Sequence, residues 1–158
     1  MDKIILTAGT ASAPTELAAF DAALREAGVA DANLLHLSSV IPLGCKVVEE
    51  PFDMNDTFQG DRLYVVYADM RVSERGMTAA AGLGWVQTTS DPSWGLFVEH
   101  VGHTEAEVQR QIELTLNSMM SYRTDHEWGK IKSKIVSREC VDEPVDAIVI
   151  AVYKREEW

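Results

Sequence analysis

Two adjacent serines, Ser38 and Ser39, lie in the middle of the largely apolar segment from Asn33 to Pro42. Two hydroxyls in an apolar strand are unusual, because each needs a hydrogen-bond partner once it is buried. Serine also has a lower strand propensity than a β-branched residue such as valine. The pair therefore indicates a chemical role, although both hydroxyls could instead bind local backbone groups where the strand ends before Pro42.

The chemistry open to such a pair starts from the downstream hydroxyl. A serine can attack the peptide carbonyl that precedes it and move the acyl chain from nitrogen to oxygen. The ester can then eliminate to dehydroalanine, and hydrolysis releases ammonia and leaves a pyruvoyl group. Here the hydroxyl would be that of Ser39 and the carbonyl that of Ser38. The oxyanion needs hydrogen-bond donors, and the amide side chain of Asn33 is a candidate.

A carboxylate at position 21 is the second candidate for function. Asp21 follows Leu17 by four residues and precedes Leu24 by three, which places it on the apolar side of a predicted helix. A carboxylate in such a place is costly unless it is paired. Its partner could be a ligand or Arg25, four residues later, and Asp21 could also lie at the edge of the apolar stripe.

A second carboxylate, that of Glu99, alternates with Phe97 and Val101 along a predicted strand. An apolar setting raises the pKa of a carboxyl group, because burial disfavours its charged form. A carboxylic acid that stays neutral at about pH 7 can donate a proton. The alternative is a glutamate at the end of a strand, turned towards solvent.

The elements that must position these residues are two helices and many strands. The first helix is predicted from Pro14 to Ala27, with Gly28 as its stop. The second opens with the capping box of Thr104 and Glu107 and ends near Tyr122. The predicted strands are Lys3–Ala8, Asn33–Ile41, Leu63–Met70, Met77–Thr89, Gly95–Val101, Ile131–Arg138 and Val145–Tyr153, with a turn at 9–13 and a polar loop at 49–60.

This pattern predicts one domain over residues 1–158, of the α/β (α+β) class. The strand content is too high and the alternation of strands with helices too weak for a doubly wound parallel fold. We expect a layered αββα sandwich of mostly antiparallel sheets, with the helices on the outer faces.

Composition excludes several functional classes. The formal net charge of −11 argues against nucleic-acid binding, which relies on clustered Lys and Arg. The charge would assist the approach of a cationic small molecule, although it could simply keep the protein soluble. No apolar run approaches the roughly 20 residues that span a bilayer, and the N-terminus does not resemble a signal peptide. We expect a cytoplasmic protein that makes no membrane contact.

A metal site is not expected. His100 and His103 form an H-x-x-H pair, but no third ligand is evident, and residues three apart do not share a face of a strand. Cys45 and Cys140 are far apart in sequence and form no C-x-x-C motif.

Three segments of the chain resemble those of one family, the pyruvoyl-dependent arginine decarboxylases. The stretch Asn-Leu-x-x-x-Ser-Ser-x-x-Pro at 33–42 resembles the site at which these proteins cleave themselves. Ala-Phe-Asp-Ala-Ala-Leu at 19–24 resembles their first-helix motif, and Gly-Leu-Phe-Val-Glu-His at 95–100 resembles the strand that carries their catalytic glutamate. The order and spacing also match. One departure is that Pro42 is followed by Leu43 and Gly44, where the family often has a second proline.

The resemblance implies cleavage between Ser38 and Ser39 into a β chain, 1–38, and an α chain, 39–158. The covalent pyruvoyl group derived from Ser39 would form a Schiff base with L-arginine and release CO2 and agmatine, without pyridoxal phosphate. Asp21 would bind the substrate guanidinium, whose planar fork suits a carboxylate. Glu99 would be the proton donor.

The resemblance also implies a homo-oligomer, a trimer or a dimer of trimers, with active sites at the subunit interfaces. Two alternatives stay open. The same self-processed scaffold could act on another amino acid, or the chain could be an oligomeric binding protein that never processes.

Overall fold

The computed structural model describes residues 3–53 and 59–158, so part of the predicted polar loop, residues 54–58, lies outside the described ranges. Within those ranges the chain forms two helices and nine strands. In chain order these are β1 (Lys3–Ser12), α1 (Glu16–Glu26), β2 (Asn33–His36), β3 (Val40–Ile41), β4 (Lys46–Glu49), β5 (Arg62–Val72), β6 (Thr78–Gln87), β7 (Gly95–Gly102), α2 (Glu105–Ser121), β8 (Lys132–Glu139) and β9 (Val145–Glu156).

The strands form two sheets. The hydrogen-bonded order is β2-β5-β9-β1-β4 in the five-stranded sheet and β3-β7-β6-β8 in the four-stranded sheet. Two edge pairs, β1 with β4 and β2 with β5, are parallel. The other pairs of named strands are antiparallel. The prediction of mostly antiparallel sheets is therefore confirmed.

Three apolar clusters show how the layers stack. One cluster lies between the two sheets and joins residues such as Leu6 from one sheet and Phe97 from the other. A second cluster packs α1, through Ala23, on the outer face of the five-stranded sheet. A third packs α2, through Ile112, on the outer face of the four-stranded sheet. The order of layers is helix, sheet, sheet, helix, which confirms the predicted αββα sandwich.

Both helices begin and end near the residues that the sequence predicted. The hydroxyl of Thr15 accepts a hydrogen bond from the Ala18 amide at 3.1 Å, and that of Thr104 accepts one from the Glu107 amide at 3.0 Å. These bonds satisfy amide groups that the first turn of a helix leaves free. Gly28 lies just beyond the end of α1. Its φ of 80° is a left-handed backbone conformation, which favours glycine.

The predicted turn at 9–13 was wrong, because β1 continues through these residues to Ser12. Gly9 serves close packing here rather than a turn. A Cβ atom at this position would lie 2.2 Å from the carbonyl oxygen of Ala23 in α1. A glycine inside a strand often marks such an approach of another backbone segment.

The described part of the chain contains no helix that is both long enough and apolar enough to cross a membrane.

A buried pair of carboxyl groups lies on the α1 side of the five-stranded sheet. The side chain of Asp146 has no exposed surface, and Arg71 Nε lies 4.0 Å from it and 3.0 Å from the carboxylate of Asp69. Asp69 Oδ1 and both Asp146 oxygens are buried without a hydrogen-bond partner among the described residues. Burial, together with the adjoining Asp69 carboxyl, raises the pKa of Asp146 from 3.8 to about 9. A proton held between the two carboxyls supplies the missing donor.

Replacing Asp146 with asparagine should make stability depend less on pH. The folded state keeps a proton that the unfolded state releases, so the wild-type free energy of unfolding falls as pH rises from about 4 to about 9. The stability of Asp146→Asn relative to wild type should therefore be higher at about pH 8 than at about pH 5, by on the order of 4 kcal/mol. Urea unfolding measures this difference. Asp142→Asn, whose side chain is 79% exposed, is the control, and an equal effect of Asp146→Asn at both pH values would contradict the argument.

Candidate active site

The segment that holds the serine pair passes from one sheet to the other. The amide of Leu37 donates a hydrogen bond to the Val65 carbonyl of the five-stranded sheet at 2.8 Å. The carbonyl of Ser39 accepts one from the Phe97 amide of the four-stranded sheet, also at 2.8 Å. Ser38 lies between these two anchors. The predicted continuous strand Asn33–Ile41 was therefore wrong, because its two halves, β2 and β3, belong to different sheets.

The passage places Ser39 in an unusual backbone conformation. Its φ is 72°, in the left-handed region, which costs a non-glycine residue roughly 1–2 kcal/mol. This turn also interrupts the regular alternation of side chains that a continuous strand would have. The Ser39 side chain points towards β7.

Ser39 and Glu99 meet at this point. The Ser39 hydroxyl donates a hydrogen bond to Glu99 Oε1 at 2.5 Å. The backbone of Glu99 is paired with Leu83 in β6, and its side chain is 28% exposed. The same oxygen lies 3.3 Å from His36 Nε2 at the end of β2. Two residues chosen from the sequence for their chemistry are thus in direct contact. A third, His36, to which no sequence pattern pointed, contacts the same carboxylate.

Tyr153 in β9 was also missed by the sequence analysis. Its ring lies in the core between the sheets, 6.2 Å from that of Phe97. Its hydroxyl donates a hydrogen bond to the Val40 carbonyl at 2.9 Å, one residue after Ser39. Burial, and then the negative charge of Glu99, raise the pKa of Tyr153, so the hydroxyl keeps its proton. A buried tyrosine hydroxyl requires a partner, but the sequence does not reveal which one.

A cavity of about 350 Å³ opens beside the serine pair. Ser38, Ser39 and Glu99 line it at β3 and β7, and Thr115 and Arg123 line it on the side of α2. It therefore combines a hydroxyl, a carboxylate and a guanidinium group. Its remaining lining residues are Val40, Leu96, Phe97, Val98, His100 and Met119.

The two histidines of the H-x-x-H pair do not converge. His100 Nε2 lies 2.7 Å from the Thr115 hydroxyl, and burial lowers the pKa of His100 while the charge of Glu99 opposes this shift. His103 Nδ1 lies 3.0 Å from the Thr78 carbonyl. In residues 3–53 and 59–158, no three His, Cys, Asp or Glu side chains are grouped so that they could hold a metal ion.

Asn33 lies at the far end of β2 from the serine pair. Its side-chain amide donates a hydrogen bond to the Gly60 carbonyl at 2.7 Å, and its side chain is exposed. The structure therefore does not bring Asn33 to the Ser38 carbonyl. Its part in processing stays a prediction.

The sequence predicted that Asp21 lies on the buried face of α1, and this prediction was wrong. Asp21 is exposed, and so is Leu17, which is 68% exposed. The buried stripe of the helix consists of Ala19, Ala23 and Leu24 instead. The buried face predicted from apolar residues three and four apart is therefore rotated by part of a turn from the buried face of the structure. Among the described residues no ion pair joins Asp21 to Arg25, and Asp21 does not line the cavity beside Ser39.

Together the fold and this site define an αββα sandwich in which a chain crossing between sheets presents a serine to a carboxylate. A family model described as pyruvoyl-dependent arginine decarboxylase matches residues 3–157. A protein of that name from Thermococcus kodakarensis is 33% identical over 153 residues, which is 95% of this chain and 93% of the relative. One from Halobacterium salinarum is 34% identical over 157 residues, 97% of this chain and 94% of the relative. The chain belongs to the pyruvoyl-dependent arginine decarboxylase family.

Removing the hydroxyl of Tyr153 should loosen the serine segment. Tyr153→Phe leaves the Val40 carbonyl without its 2.9 Å donor, which should lower the free energy of unfolding by about 1 kcal/mol. Urea unfolding measures this change. Tyr122→Phe, at a tyrosine that is 67% exposed, is the matched control and should have no effect. If the two variants behave alike, the hydroxyl of Tyr153 does not hold this segment.

Proposed function

We propose that this chain cleaves itself between Ser38 and Ser39 and then decarboxylates L-arginine to agmatine. The observation that carries the proposal is the hydrogen bond from Ser39 Oγ to Glu99 Oε1, made from a left-handed residue at the crossing between the sheets. The family description gives the reaction. The contact supplies the hydroxyl and the carboxylate that the first step needs.

Cleavage begins when Glu99 accepts the hydroxyl proton of Ser39. Oγ then bonds to the Ser38 carbonyl carbon, the carbon–nitrogen bond breaks, and the amide nitrogen takes up a proton. Removal of the α-proton of residue 39 expels the Ser38 carboxylate, which keeps the former Oγ. Water then replaces the nitrogen, which leaves as ammonia. The strained φ of Ser39 is lost from the starting state, which favours the forward direction.

Backbone contacts hold the reacting peptide during this step. The Phe97 amide on one side and the Val65 carbonyl on the other anchor the residues that flank the Ser38 carbonyl. Asn33 remains the proposed donor to the oxyanion. It lies at the far end of β2, with its amide bound to the Gly60 carbonyl, so its participation requires this bond to open and Asn33 to move towards Ser38 during processing.

A pyruvoyl group at residue 39 would supply a ketone that condenses with the α-amino group of arginine and takes up the electrons left by CO2. The residues present fit such a group, because residue 39 lines the cavity and its side chain contacts Glu99. Glu99 would hold the proton that replaces CO2 on the α-carbon. The cavity walls on the side of α2 would exclude water from that carbon.

We further propose that the active site is shared between copies of the chain, in a trimer or a dimer of trimers. Asp21, the proposed partner of the substrate guanidinium, is exposed on α1 and does not line the cavity of its own chain. Exposed apolar side chains occur close to the serine segment in sequence: Leu35, Val40 and Leu43 are 38%, 49% and 64% exposed. A second copy that covers this apolar surface could bring its Asp21 to the cavity.

Replacing Ser39 with alanine should stop cleavage, because the attacking hydroxyl is removed. Ser38→Ala should still cleave, since Ser38 contributes its carbonyl and not its hydroxyl. Intact-mass measurement of purified protein separates the outcomes. The wild type should give fragments 1–38 and 39–158 whose summed mass exceeds that of the uncleaved chain by one water minus one ammonia. A wild type that stays full length, with both serines intact, would refute the proposal.

A mixed oligomer should test whether sites are shared. Asp21→Asn should raise KM for arginine about tenfold or more, because a charge-assisted contact is lost, while Glu26→Gln on the same helix should not. Ser39→Ala chains carry Asp21 but form no pyruvoyl group. Co-expression of Asp21→Asn with Ser39→Ala chains should restore about a quarter of the wild-type sites by random pairing.

The readout of the mixed oligomer is decarboxylation at low arginine concentration. Lysine and ornithine are tested as alternative substrates, because the same scaffold could act on another amino acid. Chains with two different affinity tags confirm that the variants assemble together. If co-assembled protein shows no more activity than Asp21→Asn alone, residue 39 and Asp21 act within one chain, and the shared site is wrong.

A further inference from the structure

Glu99 has a second partner besides the serine. His36 Nε2 lies 3.3 Å from the Oε1 atom that accepts the Ser39 hydroxyl. Processing as proposed removes Ser39 Oγ, because that oxygen leaves with the Ser38 carboxylate. Of the two contacts that Oε1 makes within residues 3–53 and 59–158, the one with His36 then remains. After such processing, a pair of Glu99 and His36 would face residue 39.

The imidazole of His36 is held in a defined orientation. Its ring stacks on that of Tyr67 in β5, with 4.6 Å between the ring centres and 24° between the planes. Tyr67 in turn packs 6.5 Å from the ring of Phe20 in α1. At the same time His36 is 45% exposed, whereas Glu99 is 28% exposed. The imidazole thus contacts both the carboxylate and solvent.

Decarboxylation of an amino acid consumes a proton, because hydrogen replaces CO2 on the α-carbon. If Glu99 gives that proton, it becomes a carboxylate and must be reprotonated before the next turnover. We propose that His36 is the positioning residue that returns the proton to Glu99 Oε1. The imidazolium gives its Nε2 proton to the carboxylate, and the neutral imidazole takes a proton from water. This inference rests on the proposed function.

Other titratable groups lie near the pair, but each is less suited to the task. Tyr67 in β5 stacks on the imidazole and contacts it through its ring. Tyr153 in β9 is buried, and its raised pKa keeps it protonated. His100, next to Glu99 in β7, has a lowered pKa and is bonded to Thr115 of α2. Histidine is the side chain that ordinarily exchanges protons near neutral pH.

The test compares His36→Gln with wild type. Glutamine can keep a hydrogen bond to Glu99 but cannot carry a proton, so a purely structural role would survive the change. We expect kcat to fall about tenfold or more, KM for arginine to change less than about twofold, and the pH dependence of kcat near neutrality to disappear. The matched control is His103→Gln, at a histidine that directly follows β7.

A second variant supplies a rescue experiment. His36→Ala should lose activity in the same way, and added imidazole should restore it in proportion to the imidazolium concentration. The inference is supported if imidazole restores decarboxylation and an equal concentration of a buffer that does not enter the cavity fails to restore it. This measurement also covers the case in which His36→Gln fails to fold, which circular dichroism detects.

The outcomes separate this inference from the proposed function. A wild type that neither cleaves nor decarboxylates arginine refutes the proposed function itself. An active wild type with unchanged kcat and pH profile in His36→Gln overturns only the role of His36. A His36→Gln chain that folds but stays uncleaved by intact mass assigns the residue to maturation, which also overturns the return of a proton to Glu99.

Discussion

Between Leu37 and Ser39 the backbone leaves the five-stranded sheet and joins the four-stranded one, with a backbone hydrogen bond holding each end of the passage. These two bonds belong to sheets that pack face to face, so the intervening residues cannot relax independently of the core. Ser39 takes a left-handed conformation as a result. The geometry of the site thus follows from the sandwich as a whole.

The same constraint explains why residues from distant parts of the sequence meet at the serine. His36 ends β2 in one sheet, and Glu99 lies in β7 of the other, so a side chain from each sheet reaches the crossing. Tyr153 approaches from the core between the sheets and holds the Val40 carbonyl. The carboxylate of Glu99 therefore has neighbours on several elements, and its chemistry depends on how accurately the two sheets are stacked.

Small residues bring both outer helices close to the sheets, and on the α2 side this contact completes the cavity. In β6, a Cβ atom added at Gly84 would lie 2.1 Å from the Ile112 side chain. The close contact of α2 with this sheet places Thr115 and Arg123 at the cavity. At α1 the contact of Gly9 with Ala23 acts in the same way on the other face. Neither helix supplies the serine or Glu99, but α2 forms one wall of the space beside them.

Much of this protein was determined by the sequence alone. Helix ends followed from Thr104, Glu107 and Gly28, because capping depends on residues close in sequence. The strands from residue 62 onwards and the αββα class followed from apolar periodicity. Ser39 and Glu99 were both selected from the sequence as candidates for chemistry, and the structure brings their side chains into contact. Tertiary structure decided the rest: the break between β2 and β3, the exposure of Asp21, and the contacts of Asn33, His36 and Tyr153. A strand's local pattern does not show which sheet it joins, because its hydrogen-bond partners lie far away in sequence and only folding brings them together.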